Sequence, residues 1–119
     1  MTENELAKRA VACKGWRWMP GMLALDTGLR LDEMTDDWEA KAPDLTDPAT
    51  LGCLLALVRE AWGPDTHLRL WVNPAPDMSG KDRSRWEPVD GLGRRLAAGP
   101  RVLCATEAEA LVAALEAAP

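Results

Sequence analysis

The stretch DLTDPATLGCLLALVREAWG, residues 44–63, constrains the fold more than any other part of the chain. Asp47 is a favourable helix cap, and Pro48 suits the first helical position, where its missing N–H has no partner to lose. Gly63 and the proline that follows it are a helix stop. The stretch therefore predicts a well-bounded helix over 48–62.

This helix carries a broad apolar face. Its members recur at helical spacing: Leu51, Leu54, Leu55, Val58 and Trp62. A face this wide needs a sheet or several helices to cover it. We expect the helix to pack on an antiparallel sheet, with Leu54, Leu55 and Val58 almost fully buried.

Two further helices are predicted by matching start signals. Thr2 and Glu5 have the spacing of a capping box, in which each side chain accepts a backbone N–H of the other residue, and Gly15 suits the C-terminal cap. Residues 106–109 repeat this spacing and predict a helix over 107–118. The inward positions of that helix are Leu111, Val112 and Leu115.

Five short segments have the pattern of strands, most of them alternating apolar and polar residues. They are WRWM (16–19), MLAL (22–25), LRLDE (29–33), HLRLWV (67–72) and SRWEPV (84–89). The element order is then α-β-β-β-α-β-β-α. We predict a single α+β domain over 1–119, in which three helices pack on an antiparallel β-sheet.

The charge is negative and unevenly distributed. The formal net charge is −5, which disfavours direct nucleic-acid binding because that requires a basic footprint. Residues 26–47, here called the acidic segment, hold eight acidic residues against Arg30 and Lys41. No periodicity is visible from Met34 to Leu45, which predicts an exposed loop. Residues 81–101 are basic instead.

We predict that residues 32–44, within the acidic segment, contact a partner with a basic surface. Carboxylates speed the encounter with such a surface, and tryptophan is favoured where binding energy concentrates. Trp38 would be the apolar anchor among the acids. The predicted partner-binding residues are Asp32, Glu33, Asp36, Asp37, Trp38, Glu39 and Asp44.

No motif supports catalysis, a cofactor or a metal ion. The three cysteines lack CxxC spacing and His67 is the only histidine, which argues against a zinc site. The patterns GxSxG, HExxH and GxGxxG do not occur. We predict a non-catalytic protein with no cofactor. The polar start and the lack of a long apolar run predict a cytoplasmic protein with reduced cysteines and no membrane contact.

Two other binding surfaces remain open at this point. Arg94, Arg95 and the glycines of DGLG (90–93) offer a small-molecule site for a nucleotide. The basic segment 81–101 combines cations with Trp86, as single-strand binders do, although a hairpin with Trp86 facing the core is the plainer interpretation.

Three segments resemble a group of small phage and prophage proteins with an α-β-α sandwich fold. They are NELAKRAVACKGWRWMPGMLAL, PDLTDPATLGCLLALVREAWG and ATEAEALVAALEAA. In that group an N-terminal helix leads into a strand that begins Gly-Trp, as Gly15 and Trp16 do here, and an alanine- and leucine-rich helix closes the chain. The resemblance covers residues typical of cores and caps. It implies a phage origin and a fold, and it carries over no catalytic residue.

A phage origin would favour an inhibitor that occupies a surface of a host molecule, as anti-CRISPR proteins do. Acidic members of that class can cover basic nucleic-acid channels. We therefore expect an anti-CRISPR or other anti-defence protein in the host cytoplasm, bound to a host protein or protein–nucleic-acid complex. An accessory phage protein without a defence role and a homodimer are open alternatives.

Overall fold

The computed structural model describes residues 2–32, 40–71, 85–96 and 104–118, which form an α+β structure. Its elements are α1 (Glu3–Val11), α2 (Pro48–Trp62), β1 (His67–Trp71), β2 (Arg85–Val89) and α3 (Glu107–Glu116). The two strands pair antiparallel, with Arg69 opposite Glu87 and Leu68 opposite Pro88. The α+β class is confirmed, but the predicted element order and strand count are not.

The helix starts follow the predicted caps. Thr2 Oγ1 accepts the Glu5 N–H at 3.2 Å, and the Glu5 carboxylate accepts the Thr2 N–H at 3.3 Å, which completes the capping box of α1. Asp47 accepts the Thr50 N–H at 3.0 Å and caps α2. At the start of α3, Thr106 accepts the Glu109 N–H. These local signals are sufficient because a cap involves residues three apart in the chain.

Gly15 was predicted to cap α1, and this is wrong. The helix ends at Val11, with Ala12 as its C-cap. A Cβ atom at Gly15 would lie 3.0 Å from Leu115 Cδ1, so the glycine allows the chain after α1 to approach α3 closely.

The three helices run in the same direction. At one end, Arg9 near the end of α1 pairs with Glu116 at the end of α3. At the same end, Trp62 Nε1 of α2 donates to Ala114 O of α3 at 2.8 Å. At the other end, the start residues Thr2 and Thr106 line one groove with residues beside the start of α2. All three helix N-termini therefore lie at one end of the molecule.

Helix α3 is central, because it packs against α1, α2 and both strands. The predicted inward residues of α3 are buried: Leu111, Val112 and Leu115. In α2, Leu54 and Val58 are buried as predicted, whereas Leu55 is only partly buried and Leu57 is buried in its place. This differs from the prediction because α2 packs mainly on α3 rather than on the sheet. Consecutive positions are about 100° apart around a helix axis. The side of α2 that faces α3 therefore buries Leu54 and Leu57 and leaves Leu55 only partly buried.

The three strands predicted over 16–33 do not form ladders in the described residues 16–32. Leu23 pairs with Arg30 as an isolated bridge around a turn in which Gly28 has φ +71°, and Ala24 pairs with Pro43 as a second isolated bridge. The alternating Trp16 and Trp18 instead pack edge to face, with ring centroids 5.5 Å apart. Alternation identifies apolar and polar sides, but a strand also needs a partner, which local sequence does not specify.

Residues 40–45 were predicted to belong to an exposed loop, and most of them are buried instead. Backbone hydrogen bonds join Leu25 N to Ala42 O and Asp44 N to Leu23 O, each at 2.8 Å. The buried members of this stretch are Ala40, Ala42, Pro43 and Leu45. Both ends of the acidic segment are thus fixed to the fold, whereas residues 33–39 lie outside the described part.

Asp47 gives the fold a pH dependence that can be measured. Arg30 binds both Asp47 oxygens at 3.0 Å and holds the pKa of that carboxyl well below its usual range. A lowered folded-state pKa adds stability above the unfolded value of about 3.9, and this stability is lost as the pH falls toward the folded value. Asp47→Asn keeps a capping oxygen but removes the charge.

We therefore expect Asp47→Asn to lower the melting temperature at neutral pH and to reduce its fall between about pH 4 and pH 2. Circular dichroism melts across this range measure both effects. Asp65→Asn is the control, because Asp65 is exposed and forms no ion pair among the described residues. Parallel curves for wild type and Asp47→Asn would contradict the assignment.

Candidate partner-binding surface

The described acids of the acidic segment mostly hold the fold together. Asp26 accepts the Lys41 N–H at 2.9 Å, and this hydrogen bond lowers the pKa of Asp26. Asp44 is partly buried and accepts both the N–H and the hydroxyl of Thr46, at 3.0 and 2.6 Å. Asp44 therefore orders the chain before α2, which the prediction of a contact residue did not anticipate. Asp32 is exposed.

The other predicted contact residues lie outside the described part of the structure. They are Glu33, Asp36, Asp37, Trp38 and Glu39. The structure therefore locates two members of the predicted site, Asp32 and Asp44, and leaves the role of the rest as a prediction.

A second acidic feature, which the sequence analysis missed, lies where the three helices begin. It is a groove of about 520 Å³, here called the N-terminal groove. Its apolar lining consists mainly of Leu6, Leu45, Leu51 and the partly buried Trp86. Its rim carries Glu3, Glu107 and Glu109. Among the described lining residues no side chain is basic.

The rim has a negative charge beyond what helix capping requires. Glu109 accepts the Ala105 N–H at 3.3 Å, but Glu3 and Glu107 form no ion pair or side-chain hydrogen bond with any described residue. The first turns of α1 and α3 together hold four carboxylates: Glu3, Glu5, Glu107 and Glu109. Each helix N-terminus supplies about half a positive charge, so the three that meet here offset only about one and a half of these four.

The larger groove at the opposite end is less suited to a charged ligand. It has a volume of about 880 Å³ and lies among the ends of the three helices. Its two arginines are already paired, Arg9 with Glu116 and Arg17 with Glu60. The hydrogen bond from Arg17 lowers the pKa of Glu60. Of its lining cations only Lys14 has no carboxylate partner in the described structure. The groove therefore has little unpaired positive charge with which to attract an anion.

The turn proposed for nucleotide binding is closed by its own acid. Asp90 Oδ1 accepts the N–H groups of Leu92 and Arg94, at 2.8 and 3.0 Å, and Asp90 Oδ2 pairs with Arg94 Nε at 3.2 Å. These contacts lower the pKa of Asp90. A phosphate at this turn would have to compete with the Asp90 carboxylate for these two backbone N–H groups and for Arg94 Nε.

The described cysteines have the character of structural thiols. Cys13, Cys53 and Cys104 are free and partly buried, and burial raises the pKa of each thiol. A raised pKa lowers the thiolate fraction and hence the reactivity. Within the ranges that the structure describes, no three potential metal-binding side chains cluster together.

Among the described residues, no helix combines the length and the apolar character needed to cross a bilayer.

Comparison with known proteins gives no match: no protein-family model, curated protein or solved structure is similar to this chain. The resemblance to phage sandwich proteins stays a prediction.

The sequence does contain a signal for the N-terminal groove. The four residues at 2–5 are TENE and those at 106–109 are TEAE, so both helices begin with the same Thr-Glu-x-Glu pattern. One pattern of this kind indicates a capped helix. Because α1 and α3 run parallel, the two patterns bring four carboxylates to the same end of the molecule. Only the tertiary structure shows that the two helix starts are neighbours.

Proposed function

We propose that the protein is a non-catalytic binding protein whose partner is a macromolecule with a basic surface. The observation that supports this most is the N-terminal groove, with a rim of Glu3, Glu107 and Glu109 around an apolar floor. Leu45 and Thr46 of its lining belong to the acidic segment, so the groove and the segment are continuous along the chain. The groove itself brings three carboxylates together where the helices begin.

Clustered carboxylates suit such a partner for physical reasons. They raise the rate of encounter with a positive surface, and they repel acidic competitors. The apolar floor can then supply the short-range contact that slows dissociation. With the resemblance described above, the proposed partner is a host defence complex, and binding would inhibit it by covering a basic nucleic-acid channel.

Affinity capture tests this proposal. The protein is immobilised and exposed to an extract of its native cell at low ionic strength, and the retained proteins are identified by mass spectrometry. We expect a basic protein or protein–nucleic-acid complex that is released at about 0.5 M salt, where the screening length is only a few ångströms. Retention of a partner that is acidic and unaffected by salt would contradict the proposal.

A further inference from the structure

We infer that the N-terminal groove receives a basic peptide segment of the partner, with one or two apolar side chains seated on the groove floor and lysine or arginine residues on either side of them. This inference rests on the proposed function and names the chemistry of the contact. The inference combines two properties of the groove. The apolar floor would contact the apolar side chains of the peptide, and the acidic rim would contact its lysine or arginine residues.

The floor is suited to an apolar anchor. Leu6 and Leu45 are buried at 7% and 4% exposure and form a fixed base, while Leu51 and Trp86 are only partly buried and have area left to cover. A volume of about 520 Å³ lies within the range of about 300–1,000 Å³ typical of ligand pockets. Seating an aliphatic side chain here would remove apolar surface of both molecules from water.

Trp86 has a fixed position in the floor. Its backbone pairs with Cys104 through hydrogen bonds of 2.7 and 2.9 Å, and it lies opposite Leu70 in the strand pair. The backbone that carries the ring is therefore held on both sides before any partner binds. A partner that contacts Trp86 would therefore not have to order this part of the backbone, and tryptophan is favoured where binding energy concentrates.

The rim determines the sign of the flanking charges. Glu3 and Glu107 stand at the first positions of α1 and α3, line the groove, and are both exposed. A cationic segment that lies on the floor can approach carboxylates from two different helices. A second copy of this chain would instead bring two acidic rims together, and like charges in contact weaken association.

Peptide binding measures the inference directly. The probe is a short fluorescein-labelled peptide in which a pair of leucines is flanked on each side by a pair of arginines. One matched peptide has serines in place of the leucines, and another has glutamates in place of the arginines. We expect fluorescence anisotropy to show saturable binding of the first peptide, with affinity reduced about tenfold or more by the serines and abolished by the glutamates.

Substitutions in the protein locate the site. Ala105→Trp should fill the groove and abolish binding, since Ala105 is an exposed lining residue outside the core. Glu3→Gln with Glu107→Gln should weaken binding about fivefold and reduce its salt dependence. The control, Glu60→Gln with Asp65→Asn, removes the same net charge outside the groove and should leave affinity unchanged. Circular dichroism melts establish that each variant is folded.

The outcomes separate this inference from the proposed function. Equal binding of the leucine and serine peptides, or full binding by folded Ala105→Trp, would overturn the groove as the anchor site. If Ala105→Trp still captures a basic, salt-sensitive partner from the extract, the proposed function stands and the inference fails. If neither the peptides nor any basic partner bind the wild-type protein, both fail.

Discussion

Leu54→Ala should lower the free energy of unfolding by about 2–5 kcal/mol, because it removes a completely buried side chain from the contact between α2 and α3. Leu54 has 0% exposure and lies in the same cluster as Leu57, Val58 and Leu111. The cost combines the lost transfer of apolar surface with the cavity that the neighbours cannot fill. Urea denaturation followed by circular dichroism gives the change in unfolding free energy, provided that the dependence of this free energy on urea concentration is the same in both proteins.

Leu55→Ala is the matched control, since it makes the same chemical change at the next position of the same helix. Leu55 is only partly buried, so its truncation should cost at least about 1 kcal/mol less than that of Leu54. If Leu55→Ala proved the more costly substitution, the rotation of α2 about its axis would be wrong.

Arg69→Met should destabilise the fold by about 3 kcal/mol, because it leaves the buried Glu87 carboxylate without its Arg69 partner. Glu87 has 1% exposure and faces Arg69 across the strand pair, with Arg69 Nη2 at 3.4 Å from Glu87 Oε2. We place the effect at the lower end of the usual range because the Arg69 side chain is 38% exposed and both residues make further interactions.

A double-mutant cycle with Glu87→Gln tests this coupling. The double variant should lose less unfolding free energy than the two single variants lose together, since Glu87→Gln removes the charge that Arg69→Met leaves buried. Arg94→Met is the control at an exposed ion pair and should barely change the melting temperature, because such pairs contribute little. Strict additivity of the two substitutions would show that the pair is not coupled.

The helices could be predicted from sequence because their signals are local. Thr2, Asp47 and Thr106 each act on the backbone N–H three residues further along the chain, so the caps do not depend on the rest of the fold. The strands predicted over 16–33 do not form in the described residues 16–32, because alternation at Trp16 and Trp18 is equally compatible with two rings packed on each other. The burial of Leu55 was predicted wrongly because the side of α2 that is buried depends on its packing against α3.

The candidate site was predictable in charge but not in shape. Composition located the acidic segment, yet it could not show that Asp44 and Asp47 serve the chain itself, since their partners are Thr46, Thr50 and Arg30. The N-terminal groove depends on two helix starts that are about a hundred residues apart in sequence and adjacent in space. Tertiary packing alone brings them together.

The association rate of the captured partner, measured against ionic strength, tests the central claim most directly. We expect the rate for the wild-type protein to fall steeply with added salt, because screening weakens attraction between opposite charges. Neutralising Asp36, Asp37 and Glu39 together should slow association at low salt and flatten this dependence, and Trp38→Ala should act mainly on dissociation. An association rate that is independent of salt, with the triple variant binding as fast as wild type, would contradict binding through the acidic segment.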